Sequence, residues 1–520
     1  MTVPNSIAGI IRERAARSPD HVAICGEGRT ITFGELDERS NRLANALAAL
    51  GVSKGDRVVY VDRNATEYWE VAFATAKLGA AITPLNFRLS GGEIATIIAD
   101  AEPSAAVLSA QVARELGQSW APRGLPLLLV GGEGDLAGAQ DYEEVMTAHG
   151  AHDPGGAATG TELAVLMYSS GTTGASKGVR VTASNLLAGV DNFTREFTPD
   201  ASSSSLVPPP YYHIAASGWS LIAMNAGGRI VQVRDPMPER LLELMVAERT
   251  THAALVPVII RMLVEMPEAQ EADFTSLRTV VYGSSPIAPG LLARAVDLFD
   301  AEFTQSYGLT ETVGIGTLLR PDDHRSGDPT RLKSAGRPAA DVELRIVEPG
   351  SGTTLTAGEV GEIVLRGPTV TPGYWRQPEE TKRLFLDGGW LRTGDAGYQD
   401  QDGYVFIVDR IKDIIVSGGE NIVPAEIENV LAAHPAVLEV AVVGVPSSEW
   451  GETPRAFVAR RDGSDVSEAE LLGFCREHLA HFKCPSAILW IDALPRNPSG
   501  KVLRRELRRP FWEESDRSVG

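Results

Sequence analysis

The chain of 520 residues holds 48 Lys and Arg against 68 Asp and Glu, a formal net charge of −20, with 43% hydrophobic and 22% charged residues. Such a length accommodates three or four structural units and a large buried core, with no need of disulfide or metal staples. So acidic a body repels nucleic acid and anionic lipid unless a local basic patch intervenes, and any anionic ligand must be held by short-range contacts.

In chain order, the first twenty residues lack a basic stretch followed by an apolar one. They read as an amphipathic helix after a Ser6 cap and not as a signal peptide. Cys25, Cys475 and Cys484 form no C-x-x-C pair and read as reduced thiols of a cytoplasmic protein. Helical spacing covers 37–50, closed by Gly51, then a strand is predicted over 57–61, a helix over 68–78 and a turn plus strand over 79–85. This alternation argues for parallel sheet covered by helices. A polar Gly/Pro-rich connector spans 149–160, and a strand follows over 163–168. The longest apolar stretch, 253–266, holds Pro257 and Arg261, short of the ~18 apolar residues of a membrane span. Strands dominate over 342–347, 361–366 and 403–409; beyond Asp409 come a helix over 424–433, strands over 437–445 and 455–459, and a helix over 467–479. The predicted fold class is α/β: a large N-terminal domain of layered α/β subdomains plus a β-rich subdomain, then a small α+β domain.

The most informative segment is Tyr168-Ser-Ser-Gly-Thr-Thr-Gly-Ala-Ser-Lys-Gly-Val179. An apolar strand runs into glycines, hydroxyls and one lysine, which is the chemistry of a phosphate cradle. A solvated Ser/Gly loop is the alternative for this segment alone. A Walker A loop does not fit, because Ser176 and not Gly precedes Lys177. The segment resembles the phosphate loop of the adenylate-forming superfamily, close to T-S-G-T-T-G-x-P-K-G-V, with Ser176 in place of the usual Pro. Four further stretches resemble the family's motifs in order. They are Gln305-Ser-Tyr-Gly-Leu-Thr-Glu311, Trp390-Leu-Arg-Thr-Gly-Asp395, the stretch from Asp409 to Glu428, and Asn497-Pro-Ser-Gly-Lys501. The resemblance therefore spans essentially the whole chain and points to the acyl-CoA synthetase, or fatty-acid–CoA ligase, branch.

That resemblance implies two half-reactions: a carboxylate attacks the ATP α-phosphate, and a thiol, coenzyme A, then displaces AMP. Both build negative charge on oxygen, so oriented cations and N–H donors are the main requirement. By resemblance, Thr172, Thr173 and Lys177 hold the β- and γ-phosphates, with Ser169, Ser170, Gly171 and Gly174 completing the loop. Glu311 and Thr172 are implied magnesium ligands, and Thr310 donates to the α-phosphate. Tyr307 stacks on adenine, within Gln305, Ser306, Tyr307 and Gly308, although a buried core tyrosine is its ordinary role. Gly283, Ser284 and Ser285 resemble the adenine and acyl-channel loop. Asp395 accepts from the ribose, and Arg410 lies near ribose and phosphates. Lys501 bridges the substrate carboxylate and the α-phosphate. Asp409 is the implied hinge between a large domain, 1–408, and a small mobile domain, 409–520. The loop Ser417, Gly418, Gly419 and Glu420 serves the thiol step.

Pro210-Tyr-Tyr-His-Ile-Ala-Ala-Ser-Gly-Trp219 resembles the segment beside the acyl site, making His213, Ser217, Gly218, Trp219, Gly283 and Gly308 candidate substrate contacts and His213 a candidate catalytic group. Trp219 is otherwise a core side chain. His213 stands where amino-acid-activating relatives carry Asp, so an amino acid's ammonium would go unpaired. The expected activity is an acid–CoA ligase for a medium- or long-chain fatty acid, using ATP, Mg2+ and coenzyme A. The alternatives are loading of a carrier protein, or an aryl, terpenoid or steroid side-chain acid. The arginines 504, 505, 508 and 509 read either as contacts to coenzyme A phosphates or as the solvated face of a terminal helix. A homodimer or a monomer is expected, with no nucleic-acid partner and no membrane span, leaving room for peripheral membrane contact.

Overall fold

Ser6 closes the first helix, Ile7–Arg17, by accepting from the Gly9 N–H at 3.1 Å, as its sequence position predicts. The next helix starts earlier than its apolar spacing suggests, at Phe33–Ala49. Thr32 and Glu35 there form a reciprocal capping box that satisfies two free backbone donors. The computed structural model describes residues 3–117, 120, 122, 124–132, 138–169, 176–285, 287–326, 328–417, 420–447, 449–496 and 502–513.

Two large sheets organise the N-terminal part. One has seven strands, ordered Ala139–Asp141, Leu127–Val130, Ala105–Ser109, Arg57–Val61, Ala81–Pro84, Leu163–Ser169, Lys177–Thr182. All pairs are parallel except the last, where Leu163–Ser169 and Lys177–Thr182 form an antiparallel hairpin. The other has nine strands, and its central strands Arg229–Gln232, Ser204–Val207, His252–Leu255, Thr279–Gly283 and Glu302–Tyr307 are parallel neighbours. The helices Phe33–Ala49, Thr66–Leu78, Ala183–Phe197 and Ile214–Ala226 bury their apolar faces in the largest core cluster, joined by side chains from both sheets. The apolar stretch 253–266 divides at Pro257, which cannot donate to a ladder but suits the first turn of a helix. The result is the strand His252–Leu255 and the helix Pro257–Glu265.

A third, antiparallel sheet carries Glu343–Val347, Gly361–Arg366, Trp390–Gln399, Phe385–Leu386 and Val405–Arg410. The predicted strand over 361–366 is found as Gly361–Arg366. The small sheet that follows pairs Val437–Ser447 with Gly451–Arg460 over nearly their full lengths. It packs the helices Pro424–Ala432 and Glu468–His478 against an apolar cluster of its own. All three cysteines are free. No helix among the described residues is long and apolar enough to cross a membrane.

Candidate active site

The site forms where the parallel strands of the nine-stranded sheet end, the usual place for ligands in open α/β sheets. Thr279–Gly283 and Glu302–Tyr307 run side by side with Gly283 opposite Ser306, so the segments 284–285 and 307–311 leave the sheet together. Ser284 adopts φ of +67°, a left-handed conformation that a side chain disfavours and that clusters at functional loops. Gly308 has a different reason to be glycine. A Cβ there would stand 2.3 Å from the backbone carbon of Gly314, so only the missing side chain lets the turn close. Val313, β-branched, is held at φ of +54° in the same turn. The side chains of Gln305 and Ser306 are engaged within the protein: Gln305 accepts from the Tyr282 hydroxyl at 3.4 Å and Ser306 donates to the Gly314 carbonyl at 3.2 Å.

Asp395 organises the next part. It is 4% exposed on the strand Trp390–Gln399 and lies directly opposite Arg410. Tyr307 donates its hydroxyl to Asp395 Oδ2 at 2.6 Å, and Arg410 Nε lies 2.8 Å from Oδ1. Burial and the neighbouring Asp395 charge push the Tyr307 phenol well above its ordinary value, so it stays a donor. Three residues predicted around ribose and adenine are thus one hydrogen-bonded unit.

The phosphate side is built from the hairpin and from the loop 371–375. Lys177 Nζ donates to Glu380 Oε2 at 2.5 Å and lies 5.0 Å from the centroid of the Tyr374 ring. Tyr374 in turn donates its hydroxyl to Glu311 Oε1 at 2.8 Å. Lys177 and Glu311 are therefore brought together through Tyr374, while Thr310 is half-buried in the same turn. Tyr374 and Glu380 were not visible to sequence reasoning. The Pro378-Glu-Glu start of the helix Pro378–Leu384 shows an N-terminus with acidic residues in its first turn. Nothing local ties Glu380 to a lysine 203 positions earlier.

Among the described residues no group of three or more His, Cys, Asp or Glu could hold a metal by itself. A lone carboxylate beside a lysine fits magnesium, which takes most of its oxygen ligands from phosphates and water.

On the acyl side, His213 precedes the helix Ile214–Ala226, and the Tyr212 ring centroid lies 4.6 Å away. Burial, helped by the Arg88 charge, pulls the His213 imidazole down to about 4, leaving it neutral at pH 7. Ser217 is buried, its hydroxyl turned back to the His213 carbonyl at 3.4 Å. Beside Gly218 nothing stands within 4 Å of where a Cβ would be. Trp219 packs as a core side chain, 5% exposed and edge-on to Phe197 with ring centroids 5.4 Å apart, so the packing supports the core reading over that of a channel wall.

Asp409 lies on the strand Val405–Arg410 and reaches forward into the small domain. Its Oδ2 accepts from the Ala425 N–H at 3.2 Å, in the first turn of the helix Pro424–Ala432, whose own N-cap Val423 offers no side-chain bond. Arg504 lies 3.9 Å from Asp409 and 3.7 Å from Asp413, and donates to both Glu428 oxygens at 2.7 and 2.8 Å. Arg504, 23% exposed, thus neutralises the acids around Asp409, while Arg505 and Arg509 are exposed as a solvated helix face would have them. Ser417 pairs with the backbone of Glu420 and Gly451, and Ser169 with that of Lys177. Ser170, Gly171, Thr172, Thr173, Gly174, Gly418, Gly419 and Lys501 lie outside the described residues.

The AMP-binding enzyme family matches residues 11–375, and the AMP-binding enzyme C-terminal domain matches 426–501. The chain is 39% identical over 509 residues to the fatty acid–[acyl-carrier-protein] ligase ScoC of Streptomyces coeruleorubidus, covering 97% of this chain and 96% of that one. It is 38% identical to a feruloyl-CoA synthase of Amycolatopsis sp, covering 96% of this chain and 97% of the relative. Its structure resembles ATP-bound MatB from Rhodopseudomonas palustris with a TM-score of 0.85 at 30% identity, covering 97% and 99% of the two chains. The chain therefore belongs to the AMP-binding enzyme family, in the acyl-CoA synthetase branch of the adenylate-forming superfamily, and is an AMP-forming acid–thiol ligase.

Proposed function

We propose that the enzyme is an ATP-dependent carboxylic acid–CoA ligase for a medium- or long-chain fatty acid. The observation that carries this reading is the gathering of Lys177, Glu311 and the Tyr307–Asp395–Arg410 unit, drawn from three different sheets, around the turn that follows the strand Glu302–Tyr307. In the first step the acid's carboxylate attacks the ATP α-phosphate, forming acyl-adenylate and releasing diphosphate. In the second the coenzyme A thiol attacks the acyl carbon and AMP leaves.

Asp395 orients the ribose by accepting its hydroxyls, held in place by Tyr307 and Arg410. Lys177, Thr172 and Thr173 are assigned the β- and γ-phosphates, and Lys501 is assigned to bridge the acid's carboxylate and the α-phosphate. A magnesium ion on Glu311 and Thr172 would supply positive charge at the phosphate oxygens. Asp409 is the hinge between 1–408 and 409–520, about which the small domain turns Lys501 away and brings the loop 417–420 to the acyl-adenylate.

The neutral His213 and the open space at Gly218 favour an uncharged tail over an ammonium group. ScoC's acid is a fatty acid, and the feruloyl synthase's thiol is coenzyme A; the reading combines that acid class with that thiol. The likeness to ScoC also favours a second reading, transfer to a carrier protein. A panel of acids assayed with coenzyme A and with an acyl carrier protein separates the two. Rapid AMP and acyl-thioester formation with coenzyme A and a fatty acid supports the first. Thioester only on the carrier protein supports the second.

A further inference from the structure

We propose that Tyr374 is a positioning residue that aims the Glu311 carboxylate at the metal, a role that rests on the assignment of Glu311 and Lys177 above. The loop carrying it is fixed on several sides. The Arg180 N–H donates to the Gly373 carbonyl at 3.1 Å, and the Trp375 N–H donates to the Gly178 carbonyl at 2.7 Å. The Tyr374 N–H donates to the Thr381 hydroxyl at 2.9 Å. Gly373, at φ of +127°, presses so close to Thr381 that a Cβ would meet its methyl at 2.2 Å. Trp375 is anchored by its indole nitrogen on the Asp100 carbonyl at 3.1 Å, with Arg57 4.9 Å from its ring centroid. Between these anchors the Tyr374 side chain has little freedom.

What the ring does there is specific. Its hydroxyl donates to one oxygen of Glu311, Oε1, and among the described residues the other oxygen has no protein partner. A carboxylate tied by one oxygen is a one-oxygen ligand with its direction already chosen. The same ring lies against Lys177, whose ammonium is drawn to the π-face. One side chain thus sets the spacing between the lysine assigned to the phosphates and the acid that would hold the metal.

The test is equilibrium binding of α,β-methylene-ATP, which cannot be cleaved where adenylation cleaves, measured by calorimetry with no acid present. Each variant is titrated with EDTA and again with Mg2+, and the ratio of the two Kd values is the metal's contribution. Tyr374→Phe keeps the ring and removes the hydroxyl. Its metal-free Kd is expected to match the native one, while the ratio falls by about tenfold or more, the usual range for one bond to a charged group. In a Glu311→Gln background the same change is expected to do nothing further, since the hydroxyl then has no metal ligand to aim. An unchanged ratio in Tyr374→Phe overturns the proposal, and so does an equal fall in both backgrounds. Loss of binding with and without metal overturns it too, because the contact would then serve the fold. If the native enzyme itself shows no gain from Mg2+, the assignment of Glu311 fails instead.

Discussion

His213 shows how one half-buried side chain writes itself into the pH dependence of the molecule. Its folded value, about 4, lies below the ordinary 6.5. The unfolded chain therefore holds the extra proton between those values, and its share of stability is intact above about 6.5 and drains as pH falls toward 4, by up to ~3 kcal/mol. His213→Gln is expected to flatten the fall of Tm across that window, read by thermal melts at each pH. A variant curve parallel to the native one would contradict the burial argument. Asp395 gives a second expectation at this scale. Asp395→Asn keeps the shape but weakens the acceptor that Tyr307 and Arg410 hold toward the ribose, so the KM for ATP should rise about tenfold or more. An unchanged ATP dependence would remove Asp395 from the nucleotide site. Both residues stood out in the sequence because each sits in a stretch that resembles a motif of the adenylate-forming superfamily. Tyr374 did not, because its partner Glu311 lies 63 positions away and a lone tyrosine in a turn reads as packing.

Among elements, those with strong local signals lay where the sequence placed them. Gly361–Arg366 alternates apolar residues between breakers, and Ile7–Arg17 opens on a capping serine. Boundaries shifted where side chains interact reciprocally, as at Thr32 and Glu35, or where a long partner strand extends a short apolar run, as Val437–Ser447 does for Gly451–Arg460. On the terminal helix Arg504–Glu513, Arg505 and Arg509 are exposed as a solvated face has them, but Arg504 turns to acids of the small domain. The helix's composition is basic, yet the acids paired with Arg504 come from the strand Val405–Arg410, the turn Ile411–Asp413 and the helix Pro424–Ala432, the nearest in space, Glu428, being 76 residues away. Arg504→Met leaves Asp409, Asp413 and Glu428 partly buried without their cation, at 5%, 14% and 17% side-chain exposure. The small domain should lose about 3 kcal/mol, because an acid stripped of its buried partner keeps its desolvation cost. Chemical denaturation checks this. Unaltered stability would mean that water already reaches the cluster.

The large N-terminal domain and the small C-terminal domain divide the proposed chemistry, the nucleotide contacts being assigned to the first and Asp409 to the hinge between them. That division makes the half-reactions separable. Lys501→Ala is expected to abolish diphosphate release from ATP and acid, yet to spare thioester formation from supplied acyl-adenylate, measured as two independent assays. Unchanged diphosphate release would sink the role of Lys501. The net charge of −20 fits the proposed site, in which a few buried or semi-buried groups, and not the surface field, would meet the anionic substrates. Five motifs made the family legible from sequence, whereas the acid was not. The acyl site is shaped by packing, as when Trp219 turns into the core and Gly218 leaves open space. The most direct measurement is therefore AMP formation from ATP and Mg2+ across short-, medium- and long-chain fatty acids and aryl acids, each with and without coenzyme A. The account expects AMP and acyl-CoA in equal amounts, strongest for medium- or long-chain fatty acids and dependent on coenzyme A. AMP release indifferent to coenzyme A, or confined to aryl acids, would contradict it.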